Sequence, residues 1–402
     1  MIATFHTENR RRIAHSLQGG FVVLTAYTSM QRGNDAAFSF EQEANFWWLT
    51  GIEVADWWLI IDGTRGKSWL VSPVVSQSHE IFDGSLAAEE AMRVSGVDAV
   101  MTRDEANDML RQAAKHHSVV YTLGDMPHQE HLNFTLNPAV KKMYDMLHRT
   151  FSTVQDCRKE LANMRAIKQP EEIATMKQAI NMTIDGFLAV KKLLPSAKYE
   201  YELEAEFTHL FRSRGAAGHA YDPIVASGKN ACTLHYGQND TRLKKRELVL
   251  LDVGARYGGY AADITRTYAN GEPTKRQKVV HAELAAAQVA IIALLKPGLL
   301  VSEYHAEVER IMKSALISLS LMKSPGDDAA YHRYFPHAIS HGLGVDVHDS
   351  LGVPRRLEPG MVLTVEPGIY IPDESIGLRI EDDILITESG RQNLTSRLST
   401  DL

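Results

Sequence analysis

The sequence predicts an α/β (α+β) protein of two domains, a small mixed α/β front domain and a larger rear domain of two similar halves. Its 402 residues correspond to two or three domains of ordinary size. All five tryptophans lie before residue 70, whereas the recognisable constellation of polar motif residues lies after residue 230. Because the two parts differ in this way, we place the domains at 1–155 and 165–402, with the boundary between 150 and 168.

The composition is that of an ordinary globular protein and argues against several other classes. Hydrophobic residues make up 44% of the chain and charged residues 23%, and the net charge of −7 is unlike that of a uniformly basic nucleic-acid binder. The two cysteines, Cys157 and Cys232, are too few for a disulfide framework or a Cys-rich zinc module. No apolar run approaches the ~20 residues of a membrane span, and the charged N-terminus is unlike a signal peptide. We therefore expect a cytoplasmic protein that binds neither membrane nor nucleic acid.

Short apolar and β-branched runs separated by helical patterns predict the mixed front domain. Strands are expected at 21–25, 57–61, 69–72 and 119–122, and helices at 87–95 and 104–115. The tryptophans fit two uses, a plain hydrophobic core or a surface against a neighbouring subunit. We expect a homo-oligomer, either a dimer or a tetramer.

The rear domain repeats an order of two helices followed by strands. Pro170 with Glu171 and Glu172 marks a helix start, and apolar residues then recur at helical spacing until Pro195. Further helices are predicted at 200–214, 275–295 and 302–321, and strands at 247–269 and 335–387. The repeat lies in the pattern rather than in residue identity, and it predicts two similar halves around a shared sheet core.

The segment LDVGARYGGYAADIT predicts a hairpin that brings two acidic residues together. If Tyr257 and Gly258 form the loop, Asp252 and Asp263 lie directly opposite each other on one face. Opposed β-carbons are ~4.5–5.5 Å apart. Two buried carboxylates at that distance need a positive group between them, or one of them must hold a proton.

A second hairpin, in MVLTVEPGIY and LRIEDDI, repeats the arrangement. With a turn at 372–375, Glu366 lies opposite Glu381, although Pro367 and Gly368 are expected to distort the ladder. Surface acids on amphipathic strands are the plain alternative. Two such pairs, each flanked by apolar residues, instead favour a site for two divalent cations, whose charge matches that of four carboxylates.

Three of the 17 histidines, His337, His341 and His348, fall within 12 residues of an apolar, glycine-containing run. A lone histidine there would be a structural or surface residue, but the clustering favours a site. A neutral imidazole is a common ligand beside carboxylates. His235, in the run ACTLHY, is a further candidate, with a satisfied core histidine as its alternative.

Taken in order, these motifs resemble the dinuclear metal site of the pita-bread metallopeptidases. The matching stretches are LDVGARYGGYAADITRT, SHGLGVDVHD, EPGMVLTVEPGIY and GLRIEDDILIT, which span the rear domain from about 165 to 402. Through FSFEQEANFWWLTGI, the front domain is similar to the N-terminal domain of aminopeptidase P and prolidase, a plan shared with creatinase. The resemblance implies a pita-bread rear domain with pseudo-twofold α-α-β halves, and an Xaa-Pro peptidase.

The resemblance also implies a role for each motif residue. The implied ligands of two divalent metal ions, Mn²⁺ with Co²⁺ or Zn²⁺ as alternatives, are Asp252, Asp263, His341, Glu366 and Glu381. A hydroxide shared between the two cations would attack the scissile carbonyl, with Glu366 also moving the proton. His348 would stabilise the tetrahedral intermediate, and His235 would contact the substrate near its proline. Tyr370 and Arg379 match positions linked to proton relay and ligand support, with sheet packing and a salt bridge as equal alternatives.

Several functions stay open within this resemblance. An Xaa-Pro aminopeptidase releases the N-terminal residue from short peptides with proline at the second position. An Xaa-Pro dipeptidase (prolidase) must also bind the proline carboxylate, for which Arg355 and Arg356 are candidates, and His337 is a further candidate for substrate binding. The aromatic front domain favours the aminopeptidase. A methionine aminopeptidase normally lacks a front domain, creatinase lacks the metal set, and a non-catalytic partner-binding protein of this fold typically lacks intact ligands.

Overall fold

A computed structural model describes residues 1–124 and 135–402 of the chain. The chain divides into two compact units, Met1–Ala162 and Asn163–Leu402, here called the front unit and the rear unit. The division lies within helix α7 (Arg158–Ala166).

The front unit, as far as it is described, is a sheet covered by helices. Its elements in chain order are α1 (Ala3–Ser16), β1 (Phe21–Thr25), α2 (Ala44–Thr50), β2 (Trp58–Asp62), β3 (Lys67–Val71), α3 (Gln77–Phe82), α4 (Ala88–Ser95), β4 (Ala99–Met101), α5 (Arg103–Ala113), β5 (Val119–Thr122), α6 (Pro138–His148) and β6 (Thr153–Asp156). The strands follow the order β4-β3-β2-β1-β5-β6. Antiparallel pairing joins β1, β2 and β3, and parallel pairing joins the outer strands.

The central strand of this sheet is buried because every residue of its FVVLT run is apolar or β-branched. Trp48 and Trp57 are 0% and 1% exposed, and Trp47 is also buried. A hydrophobic core is therefore the use of these three rings. The predicted front strands and helices are present, whereas the helices α1, α2, α3 and α6 and the strands β4 and β6 were not predicted.

The rear unit consists of helices and strands from the second part of the chain, after residue 162. After α7, its elements are α8 (Pro170–Leu193), α9 (Glu200–Ser213), β7 (Gly218–His219), β8 (Ile224–Ser227), β9 (Leu248–Val253), β10 (Ala255–Tyr257), β11 (Tyr260–Ala261), β12 (Ile264–Ala269), α10 (Lys275–Leu294), α11 (Val301–Ser318), α12 (Asp328–Tyr334), β13 (Val362–Val365), β14 (Gly368–Ile371), β15 (Ile376–Arg379), β16 (Asp382–Thr387) and β17 (Gly390–Asn393). The predicted helices α8, α9, α10 and α11 are confirmed.

Two hydrophobic cores in the rear unit match the predicted repeat of helices and strands. In the first half, α8 and α9 cover the β12-β9-β8 sheet through residues such as Phe187, Phe207 and Leu251. In the second half, α10 and α11 cover β13 to β16 through residues such as Leu284 and Ile384. The halves meet where the Glu381 amide donates to the Thr265 carbonyl at 3.0 Å.

Helix α10 is long and apolar enough to cross a membrane by length and composition alone. In this fold, however, Val280, Leu284 and Ile291 pack into the core of the second half. Gln288 on the same helix donates to the buried Asp382 carboxylate at 2.8 Å. These contacts make α10 a core helix of the rear unit.

The first acidic hairpin forms, but its predicted register was wrong. Asp252 pairs with Thr265, and Arg256 pairs with Ala261, so the loop is Gly258-Gly259 rather than Tyr257-Gly258. Both glycines have positive φ, 57° and 83°, which a two-residue hairpin loop favours. Because this shift moves each partner by two residues, Asp263 stays on the face of Asp252 but lies diagonally from it.

The ladder of this hairpin is interrupted between the two aspartates. The Gly254 carbonyl accepts from the Ala220 amide at 2.8 Å instead of pairing across the hairpin. A β-carbon at Gly254 would lie 1.8 Å from the Ala262 carbonyl oxygen. The close approach of these two backbones therefore requires glycine. It fixes Ala262, the residue directly before Asp263, against the opposite strand.

The register of the second hairpin is confirmed. Ile371 pairs with Ile376 across the turn, and Val365 pairs with Asp382 further along, so Glu366 and Glu381 face each other between the two ladders. The ladder is interrupted there as predicted, because Pro367 has no amide hydrogen to donate.

Strands were wrongly expected at 335–361. There the chain forms a loop with isolated bridges at Gly342, and strands begin at Val362. Gly342, Gly344 and Pro354 account for the difference, since glycine and proline weaken a continuous ladder.

We predict that Gly254→Ala lowers the free energy of unfolding by at least about 1–3 kcal/mol, because the added methyl group overlaps the Ala262 carbonyl. Urea unfolding measures the change. Gly390→Ala is the matched control, since a β-carbon there meets nothing within 4 Å and its φ is not positive. Equal stability of both variants and the wild type would contradict the close approach.

Candidate metal centre

The acidic residues of both hairpins converge in one cavity of the rear unit. Its volume is about 370 Å³. The lining residues are Leu234, His235, Asp252, Asp263, His337, Ala338, His341, His348, Glu366, Arg379 and Glu381. Oxygen atoms of Asp252, Asp263 and Glu381 lie within 4.8 Å of one another, as do ligand atoms of His341, Glu366 and Glu381. The structure thus brings together all five predicted metal-ligand residues.

Tyr221 lies between the two aspartates and was missed by sequence reasoning. Its hydroxyl is 2.6 Å from Asp252 Oδ1 and 2.7 Å from Asp263 Oδ1. One hydroxyl has one proton to donate, so it satisfies only one of these oxygens at a time unless a carboxyl is protonated. Burial and the neighbouring carboxylates raise the pKa of Tyr221 well above its ordinary value. No local pattern in the sequence signals this residue, which is 31 positions from Asp252.

A chain of three polar side chains extends from Asp252 along the cavity. Arg379 donates to Asp252 Oδ2 and, at 2.7 Å, to the Tyr370 hydroxyl. The Tyr370 hydroxyl lies 2.9 Å from His337 Nε2. Because the hydroxyl accepts from Arg379, its own proton is free to be donated to His337. The expected salt bridge to a carboxylate is present between Arg379 and Asp252, and the roles of Tyr370 and Arg379 in proton relay and ligand support stay predictions.

Two buried threonines set the positions of the other acidic side chains. Thr265 donates to Glu381 Oε2 at 2.6 Å and accepts from Arg379 Nε at 3.1 Å. Thr364 donates to Glu366 Oε1 at 3.2 Å and accepts from the His341 amide at 3.1 Å. Each threonine alternates with an acidic residue on the same strand face, which is the signal that could have predicted them.

The carboxylates hold more negative charge than the neighbouring side chains neutralise. Burial, with Asp263 and other acids nearby, raises the pKa of Asp252 despite the opposing effect of Arg379. Burial likewise raises the pKa of Glu366 to about 7 and that of Glu381 well above its ordinary value. Such a site needs bound protons or cations. Carboxylate oxygens and one imidazole nitrogen suit divalent cations such as Mn²⁺.

His341 is oriented so that one ring nitrogen faces the acids. Its Nδ1 lies 2.9 Å from the Gly342 carbonyl, to which it can only donate, so Nε2 faces Asp263 at 3.4 Å and Glu366 at 3.5 Å. Burial lowers the pKa of His341, but Asp263 and Glu366 together outweigh it and raise the pKa to about 9. An imidazole fixed in this way can present Nε2 to a metal.

The other predicted residues lie at the rim or outside. His348 is exposed and its ring lies 4.3 Å from that of His341, and His235 is also exposed on the cavity wall. Arg355 is exposed and does not line the cavity, while Arg356 donates to the Gly298 carbonyl at 2.6 Å. The role of Arg355 in substrate binding stays a prediction.

A buried ion cluster anchors the loop that carries His341 and His348. Asp349 accepts from Arg165 at 2.9 Å and from Lys168 at 3.4 Å, and the three side chains are at most 6% exposed. Burial of Lys168 is tolerable only while this carboxylate is present. The cluster therefore links the start of the rear unit to the loop of the two histidines.

Comparison with known proteins decides the family. Residues 174–388 match the model of metallopeptidase family M24, and residues 6–121 match that of the aminopeptidase P N-terminal domain. The chain belongs to metallopeptidase family M24. The resemblance to pita-bread metallopeptidases and the two-domain fold class predicted from the sequence are confirmed. As a member of family M24, the chain is a metallopeptidase.

Relatives cover nearly the whole chain. The Xaa-Pro aminopeptidase of Escherichia coli (strain K12) is 36% identical over 414 residues, covering 96% of this chain and 93% of the relative. Xaa-Pro aminopeptidase 3 of Homo sapiens is 31% identical, with coverages of 91% and 76%. The solved structure of aminopeptidase P from E. coli with the inhibitor Pro-Leu superposes with a TM-score of 0.87 at 32% identity, covering 99% of this chain and 96% of that one.

We predict that Asp349→Ala destabilises the protein by about 3–5 kcal/mol, because the buried Lys168 loses the carboxylate to which it donates and Arg165 loses one of its two carboxylate partners. Asp185→Ala is the control, since Asp185 pairs with Arg214 and Arg397 at 30% exposure and should cost below about 1 kcal/mol. Chemical denaturation at pH 7 compares the two. A similar small cost for both variants would show that Asp349 does not anchor the loop.

Proposed function

We propose that this M24 metallopeptidase is an Xaa-Pro aminopeptidase, which releases the N-terminal residue from short peptides with proline in second position. The observation that carries the proposal is the convergence of four carboxylates and His341 in one cavity. Support comes from the names of the relatives, which are Xaa-Pro aminopeptidases at up to 36% identity over nearly the whole chain.

The five converging residues would hold two divalent cations, for which we propose Mn²⁺. Asp252 and Asp263 would contribute from the first hairpin, Glu366 and Glu381 from the second, and His341 from the loop before β13. Two such cations would supply Lewis-acid chemistry, since they would polarise the scissile carbonyl and lower the pKa of a water molecule. The uncompensated carboxylate charge and the oxygen-rich donor set fit this assignment.

The protein's own side chains would then orient the substrate and move protons. Glu366 would accept a proton and return it to the leaving nitrogen. His348, beside His341 at the rim, would donate to the oxyanion of the tetrahedral intermediate. The chain from Arg379 through Tyr370 to His337 would hold Asp252 and His337 in place while the substrate binds.

Proline at the second position suits this chemistry. The Xaa-Pro amide has no N–H, and the ring fixes φ, so a protease that binds an extended backbone loses a hydrogen bond. Attack on a polarised carbonyl needs no such bond. The exposed ring of His235 and the side chain of Leu234 form one wall of the cavity and would contact the proline.

The cavity favours the aminopeptidase over the dipeptidase. A dipeptidase must bind the proline carboxylate with a cation. Among the lining residues, all of which the structure describes, Arg379 is the one arginine, and it already donates to Asp252 and Tyr370. Arg355 lies outside. We therefore retain the dipeptidase only as the alternative.

We also propose a homo-oligomer and a cytoplasmic location. Both cysteines are free, and Cys157 is buried, which fits a reducing compartment. Light scattering tests the homo-oligomer, and a monomer at working concentration would contradict it. Cell fractionation tests the second, and recovery in a membrane or secreted fraction would remove that.

We predict that the protein, stripped of metal and reloaded with Mn²⁺, cleaves Ala-Pro-Ala to alanine and Pro-Ala but leaves Ala-Pro intact. Product analysis by chromatography on a mixture of both peptides distinguishes the outcomes. Asp263→Asn keeps the side-chain shape but loses one ligand charge, and should lose both metal and hydrolysis. Cleavage of Ala-Pro alone would favour the dipeptidase. Full activity and metal content in Asp263→Asn would refute the site.

We predict that metal loading at pH 7 releases at least about one proton per chain, because ligands must be deprotonated to bind. With pKa values of about 9 for His341 and about 7 for Glu366, the metal-free site holds protons at pH 7. Affinity for Mn²⁺ should therefore rise as pH increases through 7. Calorimetry in buffers of different ionisation enthalpy counts the protons, and an identical heat in all buffers would contradict the charge balance.

A further inference from the structure

A second buried carboxylate lies outside the metal centre and accepts five hydrogen bonds. Glu200, the first residue of α9, is 0% exposed. Its Oε1 accepts from the Ser227 amide and hydroxyl, both at 2.7 Å, and from Asn230 at 3.3 Å. Its Oε2 accepts from the Tyr236 hydroxyl and the Thr241 amide, both at 2.9 Å. Every one of these donors belongs to residues 227–241, which we call the His235 segment.

The other side of the His235 segment packs toward the metal centre. Tyr236 is buried in an apolar cluster with Ile224, Leu250 and Tyr370, and Leu234 packs against this cluster. Leu234 and His235 then reach the cavity wall. Tyr236 is thus bonded to Glu200 through its hydroxyl while its ring lies in the same cluster as Tyr370, and His235 is the next residue along.

We propose that Glu200 is a positioning residue that fixes His235 at the wall of the cavity where the residue after the scissile bond binds. The inference rests on the proposed function and adds a determinant of substrate fit to it. Burial of a carboxylate is costly unless it is fully hydrogen-bonded, and here one segment supplies all five donors. The helix N-terminus stabilises the same charge. Glu200 therefore holds the His235 segment at both ends, through Ser227 and Thr241, and beside His235, through Tyr236.

The pattern of donors requires a carboxylate rather than an amide. Each oxygen of Glu200 accepts from a backbone N–H, Ser227 on one side and Thr241 on the other. In Glu200→Gln, whichever oxygen is replaced by NH₂ points a donor at a donor. The substitution keeps the volume of the side chain but must displace one end of the His235 segment.

Two pairs of variants separate positioning from general destabilisation. Glu200→Gln is matched by Glu202→Gln, in the same helical turn, whose carboxylate accepts only from the Lys198 amide at 3.3 Å among the described bonds. Tyr236→Phe removes one hydroxyl and is matched by Tyr268→Phe, whose buried hydroxyl has no partner among the described residues. If Glu200→Gln fails to fold, Tyr236→Phe carries the same comparison.

The expected result on the Mn²⁺-loaded full chain is a rise in KM for Ala-Pro-Ala of about tenfold in Glu200→Gln, with a smaller change in kcat. Metal content should stay that of the wild type. In a His235→Ala background, Glu200→Gln should change kcat/KM by less than about twofold, because the residue through which it acts is gone. Equal fold-losses with and without His235, or a loss that follows metal content, would overturn the proposal.

A measurement made without substrate tests the positioning role independently of the proposed peptidase activity. The imidazole NMR signal of His235, identified by its loss in His235→Ala, should move in Glu200→Gln and Tyr236→Phe but not in the two controls. An unmoved signal would overturn the positioning role. A moved signal in a protein that cleaves no Xaa-Pro peptide would support the positioning role and refute the proposed substrate.

Discussion

Four like-charged carboxylates buried in one cavity are the constraint on which the rear unit depends. Their neighbours compensate only part of the charge: Arg379 donates to Asp252, Tyr221 bonds either aspartate, and Thr265 donates to Glu381. The pKa values of Asp252, Glu366 and Glu381 are raised because burial and the uncompensated negative charge of their neighbours favour the protonated forms. Such an arrangement needs bound protons or cations, and divalent metal ions, which the M24 family implies, would supply the missing positive charge.

The repeated α-α-β plan brings these charges together between two separately packed halves. Each half buries its own core and contributes one hairpin with two acidic residues, and both ladders are interrupted where the acids turn inward. The interruptions have different physical causes, a close backbone approach at Gly254 and a missing amide hydrogen at Pro367. The histidines come from loops, and those loops are held by buried carboxylates of their own, Asp349 and Glu200.

Local sequence patterns predicted most of the helices and turns that depend on interactions between residues close in sequence. Helical periodicity predicted α8 to α11, and the turn before Ile376 predicted the register that faces Glu366 with Glu381. The first hairpin was placed two residues out of register because two adjacent glycines with positive φ make the better loop. Tyr221 and Glu200 act through partners that are distant in sequence, and no periodicity signals such contacts. The apolar residues of 335–361 suit a strand, but Gly342, Gly344 and Pro354 leave this stretch as a loop with isolated bridges.

The central claim is that this cavity holds two cations between the two hairpins. A crystal structure of the Mn²⁺-loaded protein, with anomalous scattering at the manganese edge, tests it most directly. We predict two anomalous peaks per chain, separated by roughly 3.5–4 Å and ligated by Asp252, Asp263, His341, Glu366 and Glu381. A single peak, or peaks away from these carboxylates in a fully loaded crystal, would contradict the claim.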